Sequence, residues 1–180
     1  MRSEKDDAFR AYVAEHRAGL VRTATLLTAG DAHLAEDVVQ STLTRLYVSW
    51  PLFVRAGNHE AYARRALVNA LMDEHRRPWR RRERAAASVP ETEAVQPEAG
   101  SVRVEALMTA LRELPPRMRS AVVYRYFHDL SVAETADALG CSQGTVKSQT
   151  ARALDRLRDV LDPPAVLTPT THPAYLPRSL

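Results

Sequence analysis

The residues best suited to chemistry on a partner cluster at two places. From Gln143 onward, Val146 and Thr150 fall in step with Leu154, Leu157 and Leu161, which marks the inner face of a helix. The outer face carries Gln143, Gly144, Thr145, Lys147, Ser148, Ala151 and Arg152. Lys147 and Arg152 can meet phosphates or guanine edges, Gln143 and Ser148 can hydrogen-bond, and Ala151 can touch a thymine methyl. That is the chemistry of reading duplex DNA from the major groove. The same pattern also suits a plain helical hairpin with a solvated basic face.

The second place is the run Arg76, Arg77, Arg80, Arg81, Arg82 and Arg84, interrupted by Pro78 and Trp79. Of the 25 basic residues 23 are arginine, whose planar fork donates two hydrogen bonds to one phosphate. An aromatic among arginines suits a groove that tracks a nucleic-acid backbone. A solvated helix end, its cations matched to the helix dipole, accounts for the run equally well.

Catalytic chemistry finds little support. His16, His33, His59, His75, His128 and His172 are scattered, and no glycine loop that could cradle a phosphate occurs among the six glycines. Asp73-Glu74-His75 is the only acidic and imidazole cluster, and consecutive helical residues do not share a face. Cys141 is a lone cysteine, and no Cys/His group has metal-ligand spacing. The expectation is a non-enzymatic protein without metal or cofactor. With no apolar run of about 18 residues and no apolar stretch behind the N-terminal charges, a membrane span and a signal peptide are not expected, and a cytoplasmic location is.

The elements that must position these residues are helical. Residues 85–101 are small and acidic, with Pro90 and Pro97, and read as a flexible linker; residues 162–180 hold five prolines and read as an extended tail. Two blocks remain, 5–84 and 102–161. In the first, Phe9, Val13, Leu20, Ala24 and Leu27 start a helix that stops near Gly30. A second is capped by Asp31 and runs through Leu46, Tyr47 and Trp50 until Pro51 ends it, and a third is capped by Asn58. In the second block a helix stops at Leu114-Pro115, and Pro116 opens the next, which carries Met118, Val122, Val123 and Tyr126. Ser131 and Glu134 form a capping box, Gly140 suits a tight left-handed turn, and Ser142 caps the long helix that bears the outer face described above. This is a helix-turn-helix in an all-α chain.

In this order the motifs resemble a bacterial RNA polymerase sigma factor of the extracytoplasmic-function group, in its SigE-like actinobacterial branch, across about residues 8–161. The segment Ala35 to Leu43 resembles the family's polymerase-binding helix, Tyr62 to Asp73 its promoter-melting helix, and Leu130 to Leu154 its upstream-element reader. The resemblance implies sigma domain 2 at 5–84 and sigma domain 4 at 102–161, with core RNA polymerase and promoter DNA as partners. An anti-sigma factor is a common partner in the family, although no residue here reports one. Glu36, Asp37, Gln40 and Thr44 would meet core polymerase. Asn69 would contact a flipped base of the downstream element, the loop at Asn58 and His59 would form its pocket, and Tyr62, Arg64, Arg65, Arg76, Arg77, Trp79 and Arg80 would support the melted strand. Asp73 would hold a nearby arginine. The rival reading is a stand-alone helix-turn-helix regulator whose first block dimerises or senses a ligand.

Overall fold

The computed structural model describes residues 2–76 and 101–161. Arg77, Trp79, Arg80, the linker up to residue 100 and the tail from residue 162 lie outside the described residues.

Helix α1 (Arg2–Leu27) ends where the sequence leads one to expect. Ala29 and Gly30 both take positive φ, and the Gly30 amide closes the turn onto the Thr25 carbonyl at 2.8 Å. Asp31 then caps α2 (Ala32–Val48), its carboxylate accepting from the Leu34 amide at 2.9 Å. Pro51 does not end that helix. The chain turns at Ser49 and a separate short helix, α3 (Trp50–Arg55), begins with Pro51 in its first turn, where the missing N–H costs no hydrogen bond. This helix, absent from the sequence reading, buries Trp50 and Phe53 against Phe9 and Tyr12. Asn58 caps α4 (His59–Arg76) by accepting from the Ala61 amide at 2.9 Å.

In the second block Ser101, read above as the last linker residue, opens α5 (Ser101–Arg112). Pro116 starts α6 (Pro116–Val122). A single π-turn, Val123–Phe127, follows and corrects the expected apolar face. Its extra residue per turn rotates the chain, so Tyr124 is fully buried while Tyr126 and Phe127 are 58% exposed. The capping box forms at α7 (Val132–Leu139): Glu134 N donates to Ser131 Oγ at 3.1 Å, and Ser131 N donates to Glu134 Oε2 at 2.8 Å. Gly140 sits at φ +63°, and Ser142 Oγ accepts from the Thr145 amide at 3.1 Å to start α8 (Gln143–Leu161). Val146, Thr150 and Leu157 are buried as the spacing requires; Leu161, in the last turn, is exposed instead.

The described helices of both blocks share one core. Leu27, Leu67, Val68 and Leu71 of the first belong to the same buried cluster as Leu111, Leu114, Val123 and Tyr124 of the second. Polar contacts stitch the seam. Arg112 Nε donates to Ala29 O at 3.1 Å, and Arg119 Nη1 donates to Leu27 O at 3.0 Å, so two arginines satisfy carbonyls that the end of α1 leaves open. The Tyr124 hydroxyl donates to Arg64 O at 3.2 Å, and Thr23 meets His128 at 3.0 Å.

Candidate nucleic-acid interface

On α8 the sequence pattern translates directly into a surface. Gln143, Gly144, Lys147, Ser148, Ala151 and Arg152 are exposed, whereas Val146 and Ala153 on the other side are fully buried. Thr145 is half-buried, its hydroxyl 2.9 Å from Ser142 Oγ, which ties it to the cap. The Ser148 hydroxyl donates back to Thr145 O at 3.0 Å. The helix therefore offers one convex face with a short polar group, a small apolar one and two cations within its first three turns, dimensions that suit a major groove.

The candidate residues of α4 divide between two sides of the helix. Arg65, Asn69 and Arg76 face a cleft of about 380 Å³ whose other wall is Arg117, Gly140, Cys141 and Gln149 of the second block. Arg64 lies on the far side with only 17% of its side chain exposed, pairs with Glu60 at 3.0 Å, and lines a smaller cavity with His128. Asn58 and His59 are exposed at the start of the helix, eleven and ten residues from Asn69 and so about 15–16 Å along the axis. The loop and the Asn69 amide thus do not meet within the chain. Tyr62 is a packing residue here: its ring stands edge-on to Phe53 and its hydroxyl donates to Ser49 Oγ at 3.2 Å.

Along α2, Gln40 and Thr44 are exposed, and Glu36 and Asp37 are partly so. Glu36 forms an ion pair with Arg17 and accepts from Gln40 Nε2 at 3.4 Å, and the Thr44 hydroxyl donates to Gln40 O at 2.9 Å. The result is a pre-ordered polar ridge facing away from buried Val38, Val39 and Leu46. Asp73 holds an arginine as expected. Its partner is Arg45, whose Nη2 donates to Oδ2 at 2.6 Å, with Arg76 3.7 Å from the other oxygen.

Several positions that shape the cleft and the seam escaped the sequence reading. Arg45 and Arg117 line the cleft, and Arg119, Tyr124 and His128 build the seam. Burial, with Arg112 nearby, lowers the Arg119 pKa, and burial pushes the Tyr124 phenol up. Burial also lowers the His128 pKa, reinforced by the Arg64 guanidinium and opposed by Glu60. The Cys141 thiol is raised by burial, with Arg117 acting in the opposite sense. Among the described residues no group of three or more His, Cys, Asp or Glu side chains could hold a metal, and no helix is long and apolar enough to cross a membrane.

Among the described residues every element is helical, with a helix-turn-helix in one unit and a polar ridge and a basic helix in the other, an arrangement that suits a two-part DNA-binding protein. Known families agree. The Sigma-70 region 2 family matches residues 12–81 and the Sigma-70, region 4 family matches residues 104–157. The RNA polymerase sigma-E factor of Streptomyces coelicolor is 36% identical over 156 residues, covering 85% of each chain. The ECF RNA polymerase sigma factor SigL of Mycobacterium tuberculosis is 35% identical over 156 residues, covering 83% of this chain and 86% of that one. Among solved structures, the sigma factor RpoE bound to the anti-sigma factor NepR from Bartonella quintana superimposes with a TM-score of 0.69 at 26% identity, covering 86% of this chain and 96% of that one. The chain belongs to the extracytoplasmic-function group of sigma factors, which direct transcription initiation, and the reading as a stand-alone regulator is not favoured.

Proposed function

We propose that residues 5–84 act as the core-binding and promoter-melting domain and the second block, which begins with Ser101 at the start of α5 and runs to residue 161, as the upstream-element reader, joined by the acidic segment 85–100. The ridge of Glu36, Asp37, Gln40 and Thr44 docks on core polymerase. Arg65, Asn69 and Arg76 take the downstream element, and Arg77, Trp79 and Arg80, which follow them in the sequence, are assigned to the same strand. Gln143, Lys147, Ser148, Ala151 and Arg152 take the upstream element. The chain carries out no reaction of its own and works in the cytoplasm, where an anti-sigma factor is a further partner by analogy with the Bartonella complex.

One observation carries this reading: the outer face of α8 is open to solvent while α4 presents its amide and guanidinium groups toward the second unit. Promoter engagement at both elements then requires the two units to separate. Two weak DNA contacts held on one polymerase raise each other's effective concentration.

The test is a pull-down of core polymerase with Asp37→Arg combined with Gln40→Ala. Loss of binding with unchanged far-UV circular dichroism is expected; binding equal to wild type overturns the assignment of the α2 ridge.

A further inference from the structure

The cleft between α4 and the turn that joins α7 to α8 has a charge balance that the described residues leave incomplete. Among the described residues four guanidinium groups, those of Arg45, Arg65, Arg76 and Arg117, line it against the single carboxylate of Asp73. That carboxylate is already committed to Arg45 at 2.6 Å and Arg76 at 3.7 Å. Arg65 and Arg117 stand on opposite walls, and neither has an acidic partner within ion-pair distance among the described residues. Arg65 reaches across the gap: a β-carbon built on Gly140 would lie 3.9 Å from its Nη2.

We propose that this cleft binds a small polyphosphate anion, the class that includes inorganic polyphosphates and nucleoside di- and triphosphates. Like cations on facing concave walls focus a positive potential between them, and each planar fork can donate two hydrogen bonds to phosphate oxygens. A monovalent anion would meet one wall only, whereas a chain of two or three phosphates spreads its oxygens across both. The volume of about 380 Å³ holds a nucleotide-sized ligand and is far too small for a duplex. Asn69 and Gln149, one amide on each wall, supply neutral hydrogen bonds beside the cations.

The consequence follows from where the walls belong. Since Arg65 comes from the first unit and Arg117 from the second, the ligand finds both only while the units are docked, and it stabilises that docked arrangement. It occupies the same guanidinium and amide groups that the promoter reading assigns to the downstream strand, so anion and strand exclude one another.

The experiment is calorimetric titration of the full chain with inorganic tripolyphosphate at about 0.15 M salt, near physiological ionic strength, without polymerase or DNA, accompanied by thermal melting. Saturable one-to-one binding and a raised melting temperature are expected. Arg117→Ala and Arg65→Ala, both at exposed positions, should each weaken binding roughly tenfold or more while keeping the helical spectrum. Arg158→Ala, remote on α8 and paired with Asp155, should bind as wild type does. The proposal is overturned if sulfate at equal ionic strength raises the melting temperature as much, or if Arg117→Ala binds with undiminished affinity. Because no polymerase or DNA is present, failure here leaves the sigma-factor reading intact, and failure of the core pull-down leaves this site intact.

Discussion

Arg119 of α6 donates through Nη1 to the carbonyl oxygen of Leu27, 3.0 Å away and 92 residues earlier, and thereby caps the end of α1 from the other unit. Its Nη2 donates at 3.0 Å to Leu114 O within its own unit, so one buried guanidinium satisfies carbonyls on both sides of the seam. Replacing it by methionine keeps most of the volume and removes both bonds. Arg119→Met should lose about 2–3 kcal/mol of stability, since bonds to a charged group contribute that much and the stranded carbonyls remain buried. Urea denaturation measures the loss, and small-angle scattering should show a larger radius of gyration as the seam loosens. A variant as stable and as compact as wild type would refute the seam.

A pH dependence follows from His128. The Thr23 hydroxyl donates to Gly19 O at 3.0 Å and lies 3.0 Å from His128 Nε2. Tyr12, His16, His59, Glu60 and Arg64 line the same cavity, and burial together with Arg64 keeps the ring below its ordinary pKa. A histidine with a depressed pKa contributes stability that is complete above the unfolded value, about 6.5, and is lost as pH falls through the folded value. Wild type should therefore weaken between neutral pH and pH 5, and His128→Gln should weaken less over that interval. Parallel denaturation curves for the two proteins across the range would count against this account.

Gly140 turns α7 into α8 at φ +63°. The space around it is open, the Arg65 guanidinium being 3.9 Å from a built β-carbon, so a substitution there meets backbone strain and no clash. Gly140→Ala should cost about 1–2 kcal/mol, and Gly140→Asn less, because asparagine tolerates the left-handed region. Denaturant midpoints of the two variants distinguish strain from a steric effect, which would make asparagine the worse of the two.

Under the proposed function, upstream recognition rests on α8. Arg152→Ala should weaken holoenzyme binding to a mapped promoter by about 1–3 kcal/mol if its fork meets a base edge, with the loss concentrated at one sequence position. Lys147→Ala, if the ammonium meets phosphate, should weaken all promoters alike and make the slope of log affinity against log salt shallower by about one. Footprinting and salt titration separate the two roles, and unchanged binding for both variants would remove α8 from the interface.

Local rules made much of this protein legible in advance. The caps at Asp31, Asn58, Ser131 and Ser142, the left-handed turn at Gly140 and the outer face of α8 depend on residues within one or two helical turns, where spacing alone decides which groups meet. Even so, local reading misplaced Pro51, which is equally at home ending one helix or starting the next, and missed the π-turn, which carries Tyr124 into the shared buried cluster.

From the chain itself came the all-helical class, the two blocks, the reader face and the family resemblance, because each is written in near-neighbour patterns. Tertiary packing alone decided that Arg64 and Arg65, adjacent in sequence, face different cavities, that Arg45 pairs with Asp73 across 28 positions, and that Arg117 stands opposite Arg65. Arg45 and Asp73 meet where α2 packs on α4, and Arg65 and Arg117 meet where the two units dock to bury apolar side chains and open carbonyls. Such docking depends on the shapes of whole helical faces, and no spacing within a single segment encodes it.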